Sequence, residues 1–282
     1  MKIAILGHTG MLGGMTKRYL EQKYSKDKNV EIISIPKSFR ASNDGATFSD
    51  LQYYLGDRKI DYVINCIGAI KPCFNKESNN IDEIYTNTIF PRELANWCYQ
   101  ETALSGRMCR LLHITTDCVF DGFEGPYDEN DGHTAVDEYG KSKSLGEPKK
   151  CIVIRTSIIG PEWGGNNRSL ISWFLQQDAA NGYANHLWNG LTTLELSKAM
   201  DKIMFGPRID DDTYHLYSTE VNKYELLTKM SKALGKSEMK ITKVDATESC
   251  DRRLRTVKNL NKELGIVNID EMLEELAEWV IK

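Results

Sequence analysis

Three glycines directly after the first apolar run constrain the fold of this chain more than any other feature. The run KIAIL (residues 2–6) has the composition of a β-strand, and a helical pattern begins at Met11. Gly7, Gly10 and Gly13 lie between and just inside these two segments, with GxxGxxG spacing. Such glycines permit a tight turn, a close approach of pyrophosphate to the backbone, and close packing of helix on strand. The helix N-terminus adds free N–H groups that attract phosphate. The unit predicts dinucleotide binding, and a tight turn without a ligand is the alternative.

The first half of the chain alternates apolar runs with amphipathic stretches. Runs rich in Val, Ile and Leu without polar alternation are typical of parallel strands that are buried on both faces. Strands are predicted at 2–6, 30–35, 60–68, 109–116 and 151–159, and helices at 11–24, 49–55 and 81–100. This order predicts an α/β fold with a Rossmann-type, doubly wound parallel sheet.

The second half loses this regularity from about Gly160. Helices are predicted at 168–180, 192–204, 221–234 and 269–281, with one short strand at 213–218. We therefore expect a dinucleotide-binding domain over residues 1–160, with a return segment near 185–217. Residues 161–282 are expected to form a smaller, mostly helical substrate lobe at the carboxyl ends of the strands, where α/β proteins bind ligands.

Composition excludes several functional classes. The chain has 36 Lys and Arg against 40 Asp and Glu, so nothing favours a nucleic-acid partner. No apolar run approaches the length of a membrane span. The seven cysteines are scattered without a CxxC pair, which predicts a reducing, cytoplasmic location and no metal site. Composition leaves a homo-oligomer open.

The end of the second predicted strand bears on the choice of cofactor. Rossmann folds that prefer NAD usually carry an acid there for the ribose hydroxyls. This strand ends Ile35-Pro-Lys-Ser-Phe-Arg40, with no acid. Lys37 and Arg40 are suited to a 2′-phosphate, so NADP(H) is the expected cofactor and NAD(H) the second choice. Two solvated loop cations would give the same pattern.

Tyr139 and Lys143 have YxxxK spacing, which places both side chains on one face of a helix. Lowering a tyrosine pKa by about three units requires about 4 kcal/mol of phenolate stabilisation, and a nearby ammonium can supply much of it. Tyr139 could then give a proton to a carbonyl oxygen. Thr116 ends the fourth predicted strand, where its hydroxyl could bind the same oxygen or cap the following turn.

With these motifs in place, the chain resembles the extended short-chain dehydrogenase/reductase superfamily, and within it the dTDP-4-dehydrorhamnose reductase family. Three stretches carry the resemblance over about the first 160 residues, namely 65–69 with 85–94, 114–122 with 125–129, and 139–147. The second half is similar only at 188–191, 214–216 and 252–253.

The resemblance implies NADPH-dependent reduction of a 4-keto-6-deoxy sugar attached to a nucleoside diphosphate. It implies a catalytic set of Thr116, Tyr139 and Lys143. The cofactor-binding residues would be Gly7, Thr9, Gly10, Met11, Leu12, Gly13, Lys37, Arg40, Cys66, Ile67, Gly68, Asn87, Tyr139 and Lys143. Asn87 would support the nicotinamide, or would be a helix-face amide satisfied by backbone. The substrate residues would be Asp117, Cys118, Trp188, Arg252 and Arg253. These two arginines and Arg255 are candidates for the diphosphate, or they form a cationic solvated surface.

Two departures from the family pattern concern the sugar. Ile158 follows Arg155-Thr-Ser where many members have an aromatic residue, and Cys118 stands where many have Tyr. The second departure raises the alternative of a bifunctional epimerase/reductase that uses Cys118. Its expected proton partner is missing, because residues 166–173 contain no His or Lys. A further alternative is a non-catalytic, dinucleotide-binding regulatory subunit.

Overall fold

The protein is described here by a computed structural model, which covers residues 1–36, 39, 41, 47–163 and 168–280. Its strands, numbered along the chain, are β1 (Lys2–Leu6), β2 (Glu31–Ser34), β3 (Tyr62–Asn65), β4 (Arg110–Thr116), β5 (Ile152–Thr156), β6 (Ile158–Ile159), β7 (Ala179–Tyr183), β8 (His186–Trp188), β9 (Leu191–Thr192), β10 (Thr213–His215), β11 (Val221–Asn222), β12 (Lys240–Val244) and β13 (Cys250–Asp251). Its α-helices are α1 (Met11–Lys23), α2 (Thr47–Leu55), α3 (Ile81–Ser105), α4 (Glu138–Leu145), α5 (Leu170–Leu175), α6 (Thr193–Phe205), α7 (Lys223–Ala233), α8 (Leu260–Leu264) and α9 (Ile269–Val280).

The main sheet has six parallel strands in the order β10-β5-β4-β3-β1-β2. Its two faces bury different sets of side chains because neighbouring residues of a strand point to opposite faces. Ile3 and Ile5 of β1 pack with α1 and α6, whereas Ala4 and Leu6 pack with α2 and α3. The sheet is therefore covered on both faces, and the predicted doubly wound α/β fold is confirmed.

The strand order reverses at β1, since β2 lies on one side of it and β3 on the other. A crevice opens at such a switch point, beyond the carboxyl ends of the strands. Here the crevice lies between the turn that follows β1 and the segment that follows β3. The predicted glycine turn and the predicted Thr116 lie at the carboxyl ends of β1 and β4.

The chain returns to the main sheet after residue 160. Helix α6 packs against α1, and β10 adds the edge strand beside β5. Most of the remaining C-terminal residues form two small sheets, with the orders β11-β8-β13 and β12-β7, and helices α5, α7, α8 and α9. We refer to these elements as the C-terminal lobe.

The helix predicted at 168–180 is wrong in its second half. Helix α5 ends at Leu175, and residues 179–183 form β7, which pairs in parallel with β12. Gly182 allows this packing, because a methyl group built on it would lie 2.4 Å from the Cα atom of Tyr224. Within the described residues, no helix combines the length and apolar character that a membrane span requires.

Candidate active site

Close backbone contacts in the glycine turn require glycine at positions 7 and 13. Gly7 has φ +78°, and a methyl group on it would lie 2.9 Å from the carbonyl of Cys66. A methyl group on Gly13 would lie 2.3 Å from the Gly7 oxygen. The Gly10 N–H donates to that same oxygen over 2.9 Å, and Gly10 is the N-cap of α1. The turn thus brings the start of α1 against β1 and β3, as the spacing predicted.

A cavity of about 680 Å³ opens beside this turn. Of the predicted cofactor residues, Gly7, Thr9, Ile67 and Gly68 line it. Its size and its glycine turn fit a dinucleotide, whose phosphates the N–H groups at the start of α1 would bind. Leu12 is buried in the core, so it could contribute only through its backbone.

Other predicted cofactor residues contribute in different ways. Met11 begins α1 and is half-buried. Cys66 packs its backbone against Gly7, and burial raises the pKa of the Cys66 thiol to about 12. Lys37 and Arg40 lie outside the described residues. The expected 2′-phosphate contacts therefore stay a prediction.

Thr116 and Tyr139 meet at the carboxyl end of β4. The Thr116 hydroxyl donates to Asp117 Oδ1 over 3.0 Å and accepts the N–H of Cys118 over 3.1 Å. It therefore caps the turn at 117–119, and it also faces the Tyr139 hydroxyl, whose pKa it lowers. The capping alternative for Thr116 is thus present, and its hydrogen bond to a substrate oxygen stays a prediction.

The Tyr139 hydroxyl is in a setting that favours its protonated form. Burial raises its pKa well above the usual value, and the neighbouring Cys118 and Asp117 raise it further. Stabilisation of the phenolate by Lys143, which the YxxxK spacing suggests, stays a prediction. Tyr139 is accordingly prepared to donate a proton rather than to hold a phenolate.

Lys143 lies one helical turn further along α4 and is almost completely buried. Its amine donates to the carbonyl oxygen of Ile114 over 3.3 Å, and burial lowers its pKa to about 8. A methyl group built on Gly68 would lie 3.6 Å from Lys143 Nζ and 3.5 Å from Asn87 Oδ1. Lys143 and Asn87 therefore converge on the cofactor cavity at the segment that follows β3.

Asn87 is fully engaged by the protein. Its Oδ1 accepts the N–H of Ala69 over 2.9 Å, and its Nδ2 donates to the Ala69 carbonyl over 2.9 Å and to Ser142 Oγ over 3.0 Å. The amide thereby joins the loop after β3 to α3 and α4. Asn87 lies near the predicted nicotinamide position, yet its contacts are those of a positioning residue.

The predicted substrate residues differ in their surroundings. Asp117 and Cys118 lie beside Thr116, and Trp188 is held by a hydrogen bond from its Nε1 to Ser157 Oγ over 2.8 Å. Burial and the Asp117 carboxylate raise the pKa of the Cys118 thiol to about 12. Arg252 also reaches this region, where it donates to the carbonyl oxygens of residues 120 and 121.

Arg253 departs from the sequence expectation. Its guanidinium forms a salt bridge of 2.7 Å with Asp251 and a second one with Glu220. Both carboxylates belong to the lobe itself, so the charge of Arg253 is already compensated there. The structure therefore does not present Arg253 as a free cation for a diphosphate.

Two residues that the sequence did not single out lie close to this site. The ammonium of Lys223 lies 5.2 Å from the centroid of the Trp188 ring and interacts with Asp117 and Cys118. His113 is fully buried below the site, and its Nδ1 lies 3.1 Å from the side-chain nitrogen of Asn65. Burial holds the pKa of His113 well below its usual value, so the ring is neutral.

Comparison with known proteins gives the family. The family model described as the RmlD substrate binding domain matches residues 1–259. The chain belongs to this family. A curated relative, the dTDP-4-dehydrorhamnose reductase of Aggregatibacter actinomycetemcomitans, is 31% identical over 117 residues, which are 37% of this chain and 40% of the relative. The match thus spans about two fifths of that relative's length.

Two solved structures confirm the fold of this RmlD-type chain. The dTDP-4-dehydrorhamnose reductase of Clostridium acetobutylicum superimposes with a TM-score of 0.75 at 22% identity and covers 100% of both chains. The enzyme of the same name from Bacillus anthracis, solved in complex with NADP, gives a TM-score of 0.77 at 20% identity and covers 98% of both chains.

Proposed function

We propose that this protein is an NADPH-dependent reductase of a 4-keto-6-deoxy sugar carried on a nucleoside diphosphate. The observation that carries the proposal is the convergence of the glycine-lined cavity with Thr116, Tyr139 and Lys143 on one crevice. Membership of the RmlD family, the name of the curated relative and the NADP complex of a structural neighbour support the same activity.

Each residue of the site would have its own role in the reaction. The nicotinamide, when bound, supplies a hydride to the carbonyl carbon. Tyr139 donates its proton to the carbonyl oxygen, which acquires negative charge as the C=O double bond becomes a single bond. The Thr116 hydroxyl donates a hydrogen bond to that oxygen, for which it must give up its present bond to Asp117. Lys143 lies below Gly68 and would hold the cofactor ribose while favouring the phenolate that is left on Tyr139.

The C-terminal lobe would bind the rest of the substrate. We assign cofactor binding to the main sheet, which is formed by residues 1–160 and the return segment. We assign binding of the nucleotide sugar to the lobe within residues 161–282. We also assign the activity to the reducing cytoplasm, which the free cysteines of the structure support.

Substitution of Tyr139 by phenylalanine tests the proposal. The variant should lose turnover of a keto sugar nucleotide while binding NADPH as the wild type does, because only the proton donor is removed. Thr116→Val should retain some activity and cost on the order of 10²-fold in kcat, the effect of one hydrogen bond to a developing oxyanion.

The measurement is NADPH absorbance together with product NMR, and NADPH fluorescence reports cofactor binding. Tyr53→Phe is the matched control, since that tyrosine is 81% exposed on α2. Turnover by Tyr139→Phe at a rate close to that of the wild type would refute the assignment.

A further inference from the structure

Two cations from the C-terminal lobe reach the crevice beside Thr116. Lys223 is the first residue of α7, and Arg252 directly follows β13. Both interact electrostatically with Asp117 and with Cys118, the two residues that follow Thr116 in the chain. The lobe therefore presents two positive charges to the side of the crevice where the keto sugar would lie.

Lys223 is held in place without having a partner for its charge. Its side chain is half-buried, and its ammonium lies 5.2 Å from the ring centroid of Trp188, a favourable cation–π distance. In the part of the chain that the structure describes, no carboxylate lies within salt-bridge distance of this ammonium, and no oxygen accepts a hydrogen bond from it. Lys229 on the same helix differs, because it pairs with Asp270 at 2.7 Å.

The Arg252 guanidinium also has a hydrogen-bond donor that is unused in the described structure. Its Nε and Nη2 donate to the carbonyl oxygens of Phe120 and Asp121, each over 2.9 Å. Among the described residues, Nη1 has no such acceptor, and no carboxylate forms a salt bridge with the guanidinium. The nearby Asp137 carboxylate is already paired with Lys71 at 2.6 Å.

The local charge balance is therefore positive, with Asp117 as the one unpaired carboxylate that acts on both cations in the described structure. A partly desolvated cation without a partner is costly, so such a group is expected to meet an anion when the site is filled. A neutral sugar hydroxyl would leave the excess charge uncompensated, whereas the two negative charges of a diphosphate would offset it.

We propose that Lys223 binds the diphosphate of the nucleotide sugar, together with Arg252. The inference rests on the proposed function, because Thr116 and Tyr139 fix the place of the keto group. In a hexose linked to the nucleotide through C1, the diphosphate lies across the ring from C4. We place the diphosphate against the lobe, where Lys223 and Arg252 supply the two cations that act on Asp117 and Cys118.

The test measures binding of dTDP and of UDP by calorimetry, so that it needs no turnover. Lys223→Met keeps the aliphatic stem over Trp188 and removes the charge, and Lys223→Gln serves if the methionine variant does not fold. We expect either variant to bind the tighter of the two nucleotides about 10-fold to 100-fold more weakly, the usual effect of a charge-assisted hydrogen bond. Lys223→Arg should stay within about threefold of the wild type.

Two controls separate binding at this place from general charge effects. Lys232→Met removes an exposed lysine near the other end of α7 and should change nothing. NADPH affinity should be the same in all variants. With a keto sugar nucleotide that the wild type reduces, Lys223→Met should raise KM by a similar factor and leave kcat nearly unchanged.

Either of two results would overturn the inference. One is unchanged dTDP and UDP affinity in the charge-free variants, and the other is a wild type that binds neither nucleotide. A wild type that binds dTDP in a Lys223-dependent way but reduces no keto sugar would refute the proposed function and leave the diphosphate site standing.

Discussion

Replacing Lys143 by methionine should make the protein more stable while it inactivates the enzyme. The lysine is 6% exposed, and its hydrogen bond to the Ile114 carbonyl is long at 3.3 Å. Burial lowers its pKa from 10.5 to about 8. Because one pKa unit corresponds to about 1.4 kcal/mol, holding this ammonium inside the folded protein costs about 3 kcal/mol.

The pH dependence follows from the direction of the pKa change. The folded state loses the Lys143 proton near pH 8, whereas the unfolded state keeps it until about pH 10.4. Between these values the unfolded state binds more protons, so the Lys143 contribution makes wild-type stability rise with pH. Below pH 8 the full cost is present. Lys143→Met should therefore be about 1–3 kcal/mol more stable at pH 7, with the difference vanishing near pH 11.

Urea unfolding of the cofactor-free protein at pH 7, 9 and 10.5 measures this difference, and comparison with the wild type at each pH cancels the effects of all other groups. Lys141→Met on the same helix is the matched control, since that lysine is exposed and should change stability by less than about 0.5 kcal/mol. Equal or lower stability of Lys143→Met at pH 7, with an unchanged m-value, would show that the buried ammonium does not destabilise the folded protein.

Three further predictions concern the cofactor and the substrate. Gly13→Ala should abolish NADPH binding measured by fluorescence, because the new methyl group would lie 2.3 Å from the Gly7 oxygen; tight binding by this variant would argue against the turn as the phosphate site. NADPH should bind more tightly than NADH, and the preference should shrink in the double variant Lys37→Ala, Arg40→Ala; equal affinities in the wild type would contradict it. The keto sugar nucleotide in D₂O without NADPH should gain no deuterium at C3 or C5, because burial and Asp117 raise the pKa of the Cys118 thiol to about 12; exchange that disappears in Cys118→Ser would favour the epimerase/reductase alternative.

The main sheet could be predicted because its strands are specified locally. Strands β1, β3 and β5 consist mainly of apolar residues, and β4 is a run of β-forming residues that is buried along its whole length. Such patterns need no knowledge of the partner strand. Strands β7 and β12 could not be predicted in this way. Both are mostly exposed or half-buried, and their strand conformation depends on pairing with each other across more than fifty residues of chain.

The grouping of Thr116, Tyr139 and Lys143 in the candidate site was predictable for a similar reason. Thr116 ends a recognisable strand, and Tyr139 and Lys143 have the spacing of one helical turn. Their electrostatics were not predictable, because the pKa of Tyr139 is set mainly by burial and by Cys118 and Asp117. Sequence spacing shows which groups share a face, and tertiary packing decides which protonation state that face favours.

The sequence does carry a signal for Lys223, although no named motif contains it. The buried residues Leu226, Leu227 and Met230 of α7 follow it by three, four and seven positions, so this lysine falls on the buried face of the helix. Its position results from two separate local features. A capping box formed by residues 222 and 225 fixes where the helix begins, and the antiparallel pairing of β11 with β8 sets Val221 opposite Trp188. Together they bring the next lysine over the indole ring, so a change that shifts this register should move the ammonium away from the crevice even though Lys223 itself is retained.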